Sequence, residues 1–155
     1  MVLEIERKYL VINDEWKSSV ESETVMKQAY LATVEKASIR VRVAGERAFL
    51  NIKSATLGIR RSEFEYEIPL ADAEAMLAEL VDGAVIDKVR YHVRCGAHLW
   101  DLDVFHGANE GLIVAEVELA SEDEDFELPA WTGQEVSGDP KYYNACLVKH
   151  PYCDW

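Results

Sequence analysis

Glu4-Ile5-Glu6-Arg7-Lys8-Tyr9-Leu10-Val11 puts Glu4, Glu6 and Lys8 on one side of an extended chain and Ile5, Tyr9 and Val11 on the other, because neighbouring side chains in a strand point to opposite faces. The same period of two returns along the chain. Arg40 and Arg42, Lys53, Glu63, Glu65 and Glu67, Lys88 and Arg90, Asp101 and Asp103, and Glu116 and Glu118 all alternate with apolar residues. Paired charges of this kind lie about 7 Å apart on one face. Two architectures accommodate the pattern. A sheet with one solvated face would turn the charges to water. A closed barrel would turn the apolar face, with Ile39, Val41, Leu50, Ile52, Phe64, Tyr66, Val89, Trp100, Leu102 and Val117, outward under helices and enclose the charges in a wet lumen.

Around this strand the remaining elements follow in order. Asn13 is placed to cap a short helix over 13–22, and 27–33 reads as a strand. Strands over 37–43 and 47–54 flank Ala44-Gly45-Glu46, a hairpin loop, and a loop over 55–59 leads to a strand over 60–69. A helix is expected over 72–81, capped by Asp72 and ended by Gly83. Strands over 86–94, 98–105 and 112–119 come next, the first two joined by Cys95-Gly96-Ala97. Ser121 with Glu124 has the capping-box spacing of a short helix, and Asp139-Pro140 opens a helix through Val148. No repeat or linker interrupts the chain, so residues 1–155 read as one domain.

Sixteen Lys and Arg against 29 Asp and Glu leave a net charge of -13, which repels duplex nucleic acid and anionic membranes. No apolar run reaches the length of a membrane-spanning helix and Met1–Tyr9 has no signal-peptide core, so the expected location is cytoplasmic. Cys95, Cys146 and Cys153 fit no disulfide or metal spacing and are expected to be free thiols.

A small anion is a different matter, because a local cluster of cations reverses the potential inside a cleft. Arg40, Arg42, Lys53, Lys88 and Arg90 suit phosphate oxygens. Glu4, Glu6, Glu65, Glu67, Glu116 and Glu118 are hard oxygen donors of the kind Mg²⁺ or Mn²⁺ accepts beside phosphate and water. The two sets are compatible when a cation lies between them. Lys88 has Arg90 two positions away on the same face, a neighbour that with partial burial lowers a lysine pKa toward that of a base. Lys88 as a phosphate clamp stands beside that reading. Lys141, near the start of its helix, either closes one mouth of the lumen or is solvated.

The opening Glu4-Ile5-Glu6-Arg7-Lys8 resembles the E-x-E-x-K signature of the CYTH, or triphosphate tunnel metalloenzyme, superfamily. The likeness continues through Arg40-Val41-Arg42, Lys53, Glu65-Tyr66-Glu67, Lys88-Val89-Arg90-Tyr91, Asp101-Leu102-Asp103, Glu116-Val117-Glu118 and Lys141. The resemblance implies a mainly β (α+β) fold: a closed eight-stranded antiparallel tunnel with a few short helices packed outside. It implies an Mg²⁺- or Mn²⁺-dependent triphosphatase, closest to short bacterial enzymes that split tripolyphosphate into pyrophosphate and phosphate. By the same resemblance Lys88, supported by Tyr30, would activate water; Lys8, Arg40, Arg42, Lys53, Arg90 and Lys141 would hold phosphate; and Glu4, Glu6, Glu116 and Glu118 would hold metal. Glu63, Glu65, Glu67, Asp101 and Asp103 would support them. A class IV adenylyl cyclase, a thiamine triphosphatase and a noncatalytic polyphosphate-binding protein are the alternatives. The outward apolar surface exceeds what short helices cover, which points to a homodimer.

Overall fold

The computed structural model describes residues 1–56 and 58–155; the expected loop over 55–59 includes Leu57, which lies outside the described residues. Nine strands run in order: β1 (Val2–Val11), β2 (Val20–Thr33), β3 (Ala37–Ala44), β4 (Arg47–Ser54), β5 (Arg60–Ile68), β6 (Ile86–Cys95), β7 (His98–Phe105), β8 (Ile113–Glu118) and β9 (Thr132–Glu135), with helices α1 (Leu70–Glu79) and α2 (Asn144–Leu147). The sheet order β5-β4-β3-β2-β6-β7-β8-β1 closes on itself through a β5–β1 pairing, which makes an eight-stranded antiparallel barrel with β9 added beside β1.

Local sequence explains the hairpins. Ala44 pairs with Arg47 and Cys95 with His98, so the loops are two residues long, and Gly45 and Gly96 take φ of 61° and 59° at their first positions. That geometry matches the twist of the flanking strands and favours glycine.

Several elements depart from expectation. The region 13–22 is not an α-helix: Asn13 Oδ1 does accept the Glu15 amide at 3.0 Å, but only a 3₁₀ turn, Glu15–Ser19, follows. β2 begins at Val20 and is 14 residues long, because its first half pairs with β6 and its second half with β3. Two ladders outweigh a single local cap. Pro69 rather than Asp72 precedes α1, whose bounds shift accordingly. After Ser121 there is a turn, with Glu124 bonded to the Ala120 amide, and no helix. β9 went unseen because Thr-Gly-Gln-Glu carries no apolar alternation. The expected helix over 140–148 is split into a 3₁₀ turn, Pro140–Tyr142, and α2, although Asp139 caps the turn through the Lys141 amide as its position foretold.

Three apolar clusters hold the barrel. Outside, Ile5, Trp100, Leu102, Val117 and Leu119 pack with Trp16 and Trp131. Their cover is thus the 3₁₀ turn and the irregular chain after β8, which an inventory of helices overlooks. The apolar surplus that pointed to a homodimer shrinks, and Phe64 and Tyr66 are its exposed remainder on β5. On the other side α1 packs Ala73, Met76 and Leu77 against Val41 and Ala48. Within the barrel, Tyr30, Ile86, Phe105, Val114 and Leu10 meet Leu147 and Val148 at the α2 end. These positions share the strand parity of the charged residues, so the lumen passes from polar to apolar along its length and α2 fills that end.

Candidate active site

The charged strand faces enclose a cavity of about 660 Å³. Cross-strand register builds its wall: Lys8 lies opposite Glu116, Glu6 opposite Glu118, Lys53 opposite Glu63, and Arg40 opposite Tyr30. The cations Lys8, Arg40, Arg42, Lys53 and Arg90 line it, as do the carboxylates Glu4, Glu6, Glu63, Glu65, Asp101, Glu116 and Glu118, with Tyr30 among them. Lys88 and Asp103 lie one layer behind, both fully buried, with Nζ donating to Oδ2 at 2.7 Å. Tyr30 shares the apolar cluster at the α2 end, and among the described residues its hydroxyl makes no hydrogen bond to Lys88.

Two expected members stand elsewhere. Glu67 is exposed and its carboxylate receives both Nε and NH2 of Arg47, at 3.1 and 2.7 Å, because a long arginine on the neighbouring strand captures it at the barrel rim. Lys141 is exposed with its ammonium 4.5 Å from the centre of the Trp155 ring, outside the cavity lining; the split helix turns it to the C-terminal aromatics. Glu67→Gln is therefore expected to leave both turnover and the melting temperature at the parental values, because an exposed ion pair is screened by solvent, as measured by steady-state hydrolysis and thermal melts.

The structure also adds residues. Arg61 lines the cavity beneath the Tyr143 ring, 4.7 Å from its centre. Asn51 gives Nδ2 to Glu63 at 3.1 Å and to Glu65 at 2.7 Å. Gln28 accepts from Arg42 and donates to Asn144. Arg61, Asn51 and Gln28 share the lumen parity of Glu63, Lys53 and Tyr30, so alternation would have found them had neutral amides and single charges been counted. Asn144 lies in the C-terminal segment, where strand parity is silent. That segment reaches the site because Lys8 binds it three ways, through the Val136 amide at 2.8 Å, the Ser137 hydroxyl at 2.9 Å and the Tyr142 carbonyl at 3.2 Å.

Charge is distributed unevenly. Burial opposes ionisation of Glu4, but a hydrogen bond from Glu63 and the Lys53 ammonium hold its pKa at about 2. Burial and the proton shared with Glu4 lift Glu63 to about 7. Glu6 is held well above the usual carboxylate range by burial and by the charges of Glu116 and Glu4, and Glu118 is raised by burial, Glu4 and Asp101. Burial also acts against charge on Glu116, where Lys8, Arg90 and Lys88 win and hold it well below the usual range. Among the cations, burial and repulsion from Arg40 and Arg90 bring Arg42 down to about 9. Arg40 is buried with Nε lacking a protein acceptor among the described residues. An arginine in that state favours an anion.

Lys88 is lowered to about 7 by burial, against Asp103 and with help from Arg90 and Arg42. Asp103 stays charged, at about 2, because burial is outweighed by Arg90 and Lys88. Its oxygens are forked by Arg90 Nε at 2.8 Å and NH2 at 3.0 Å. The carboxylate is thus satisfied without Lys88, and Lys88 is the member of the triad that gives up charge.

Among the described residues no three acidic, histidine or cysteine side chains form a ready-made metal cage. Mg²⁺ does not require one, since it keeps waters and commonly takes one or two carboxylates beside substrate phosphates. Glu6 and Glu118 face each other across β1 and β8 with raised pKa values, while Lys8 and Lys53 engage Glu116 and Glu4 at 3.3 and 3.1 Å. Crowded carboxylates whose charges repel are a donor set that a hard divalent cation fits.

The sequence model described as "CYTH domain" matches residues 3–143. The chain belongs to the CYTH domain family. A curated relative, the inorganic triphosphatase of Acetivibrio thermocellus, is 42% identical over 149 residues, covering 96% of this chain and 95% of the relative. The inorganic triphosphatase of Nitrosomonas europaea is 35% identical over 149 residues, covering 94% and 96%. A solved inorganic triphosphatase structure superposes with a TM-score of 0.68 at 35% identity, covering 96% of this chain and 95% of that one. The CYTH barrel expected from the sequence is therefore the observed fold, with β9 as an addition. No helix among the described residues is long and apolar enough to cross a membrane.

Proposed function

We propose that this CYTH domain hydrolyses inorganic tripolyphosphate to pyrophosphate and phosphate with Mg²⁺ or Mn²⁺. The observation that carries the reading is the single cavity wall on which Arg40, Arg42, Lys53, Arg61 and Arg90 face a set of crowded glutamates; the two inorganic triphosphatases that match nearly the whole chain support it. Cations spread around a wall can each take oxygens of a different phosphate, whereas a single cluster would hold one. Glu6 and Glu118, with Glu4 and Glu116, would hold the metal, which when bound neutralises phosphate charge and acidifies water.

The protein's own residues do the remainder. Arg40 and Arg42 supply guanidinium donors, and Arg90, fixed by Asp103, is pre-oriented for charge that builds on the transferred phosphoryl group. Water oxygen bonds to phosphorus, the bridging P–O bond breaks and pyrophosphate departs with its electron pair. The water's proton goes to neutral Lys88 Nζ, which is fully buried and is joined to the cavity lining by its 3.4 Å bond to Asn144.

Phosphate, pyrophosphate and cyclic-nucleotide release should be followed in parallel on tripolyphosphate, thiamine triphosphate and ATP. Tripolyphosphate turnover dependent on Mg²⁺ or Mn²⁺ and abolished by chelation is the expected result; binding without turnover on any substrate overturns the reading. Metal added to the parental protein should also raise Tm, since a ligand that binds only the folded state stabilises it by about 2.7 kcal/mol at a hundredfold excess over Kd. Glu118→Gln should remove most of that rise. An unchanged rise in this variant excludes Glu118 as a metal ligand.

A further inference from the structure

A chain of hydrogen bonds ties the barrel wall to the C-terminal segment, and its donors fix its direction. Arg42 has only donors to offer, and its Nε meets Gln28 Oε1 at 2.7 Å. The Gln28 amide is thereby oriented, and its Nε2 donates to Asn144 Oδ1 at 3.0 Å. Lys88 Nζ donates to the same Oδ1 at 3.4 Å, and to Asp103 Oδ2 at 2.7 Å. Asn144 is the first residue of α2 and lines the cavity.

We infer that Asn144 is a positioning residue, which aims the Lys88 lone pair at the reacting water. The inference rests on the role given above to Lys88. A neutral amine has two hydrogens and one lone pair in a tetrahedral array. Asp103 alone accepts one hydrogen and leaves the group free to turn about its Cε–Nζ bond. With Asn144 accepting the other, both hydrogens are committed and a single direction remains for the lone pair. Gln28 keeps the Asn144 oxygen, rather than its nitrogen, toward Lys88. The charged groups around the amine are Asp103 on β7, Arg90 on β6, Arg42 on β3 and Glu116 on β8, and a substitution at 144 removes none of these charges. Leu147 and Val148 anchor α2 in its apolar cluster independently of the amide.

The test compares Asn144→Ala and Asn144→Asp in the full chain, with tripolyphosphate and saturating Mg²⁺, by single-turnover hydrolysis across pH and by thermal melts. Asn144→Ala should lose about tenfold to a hundredfold in kcat at every pH, a cost typical of a misplaced reacting group, with a smaller change in KM. Asn144→Asp restores the acceptor but adds charge beside Lys88. It should recover the alkaline plateau, with the rising limb of its pH profile moved up by about one pH unit or more. In a Lys88→Met background Asn144→Ala should have no further effect on kcat. Parental kcat in Asn144→Ala, or equal losses in both variants with an unmoved limb, overturns the inference. A fully active Lys88→Met protein overturns the Lys88 reading beneath it, and the two failures are thus told apart.

Discussion

Lys88→Met should lower kcat for tripolyphosphate by about a hundredfold or more, the scale of a lost proton acceptor, without loss of fold. Methionine matches the length of the lysine stem and fills its space, whereas alanine would open a void. Asp103 remains charged and satisfied, since Arg90 still forks both of its oxygens. The linkage has a definite sign. The pKa of Lys88 falls from 10.5 to about 7 on folding, so the fold favours the neutral amine, and the penalty of a buried ammonium is complete below pH 7 and disappears as pH rises to 10.5. The methionine variant should therefore melt at or above the parental temperature. Its advantage should be largest below pH 7 and vanish at strongly alkaline pH. In the parent, kcat/KM should rise with pH through about 7 as the free amine forms. Single-turnover rates and melts across pH decide the matter: a parental kcat removes Lys88 from the chemistry, and a raised KM with unchanged saturated chemistry makes it a phosphate clamp.

Strand parity made the barrel wall legible, and what escaped it did so for physical reasons. Glu4, Glu6 and Lys8 were readable because alternation depends only on the backbone, and the ladders that close β1 to β5 and β8 preserve it. Parity tells which way a side chain leaves the strand but not how far along the barrel it sits. Glu67 therefore shared the face of Glu65 yet lies where Arg47 reaches it first, and Leu10, Ile86 and Phe105 share the face of the charged residues yet belong to the apolar end. The C-terminal segment has no alternation at all. Its place is set by long-range bonds such as Tyr143 Oη to the Ser137 carbonyl at 2.7 Å and the Lys8 amide to the Ser137 hydroxyl, which no local pattern encodes. Asn144 was hidden for that reason, while its partner Lys88 was in plain view.

Asp103→Asn should be among the most destabilising changes that leave every side-chain volume intact. The carboxylate is almost completely buried and accepts hydrogen bonds from Arg90 at 2.8 and 3.0 Å and from Lys88 at 2.7 Å. Neutralising it strips the buried Arg90 guanidinium of its fork and, below the pKa of Lys88, leaves an ammonium facing it inside the barrel, with Asp101 as the carboxylate still within 3.5 Å of Arg90. Removing one partner of a buried ion pair costs about 3–5 kcal/mol. In a domain of this size each kcal/mol lowers Tm by about 2–4 °C, so a fall of about 6–20 °C is expected. Two further readouts follow from the same geometry. Asp103 is the neighbour that most raises the Lys88 pKa, so its loss should move the rising limb of kcat/KM to lower pH. Arg90 loses the fork that orients it toward the cavity, so KM should rise. At pH values below the lowered Lys88 pKa, where both cations are stranded, adding Lys88→Met to Asp103→Asn removes one of them and should return part of the lost stability, a non-additivity expected of residues in one buried network. A single Asp103→Asn variant within about 1 kcal/mol of the parent, or a double variant whose losses simply add, would mean that the three charges do not act as a unit and that Arg90 is held in place by something other than this carboxylate.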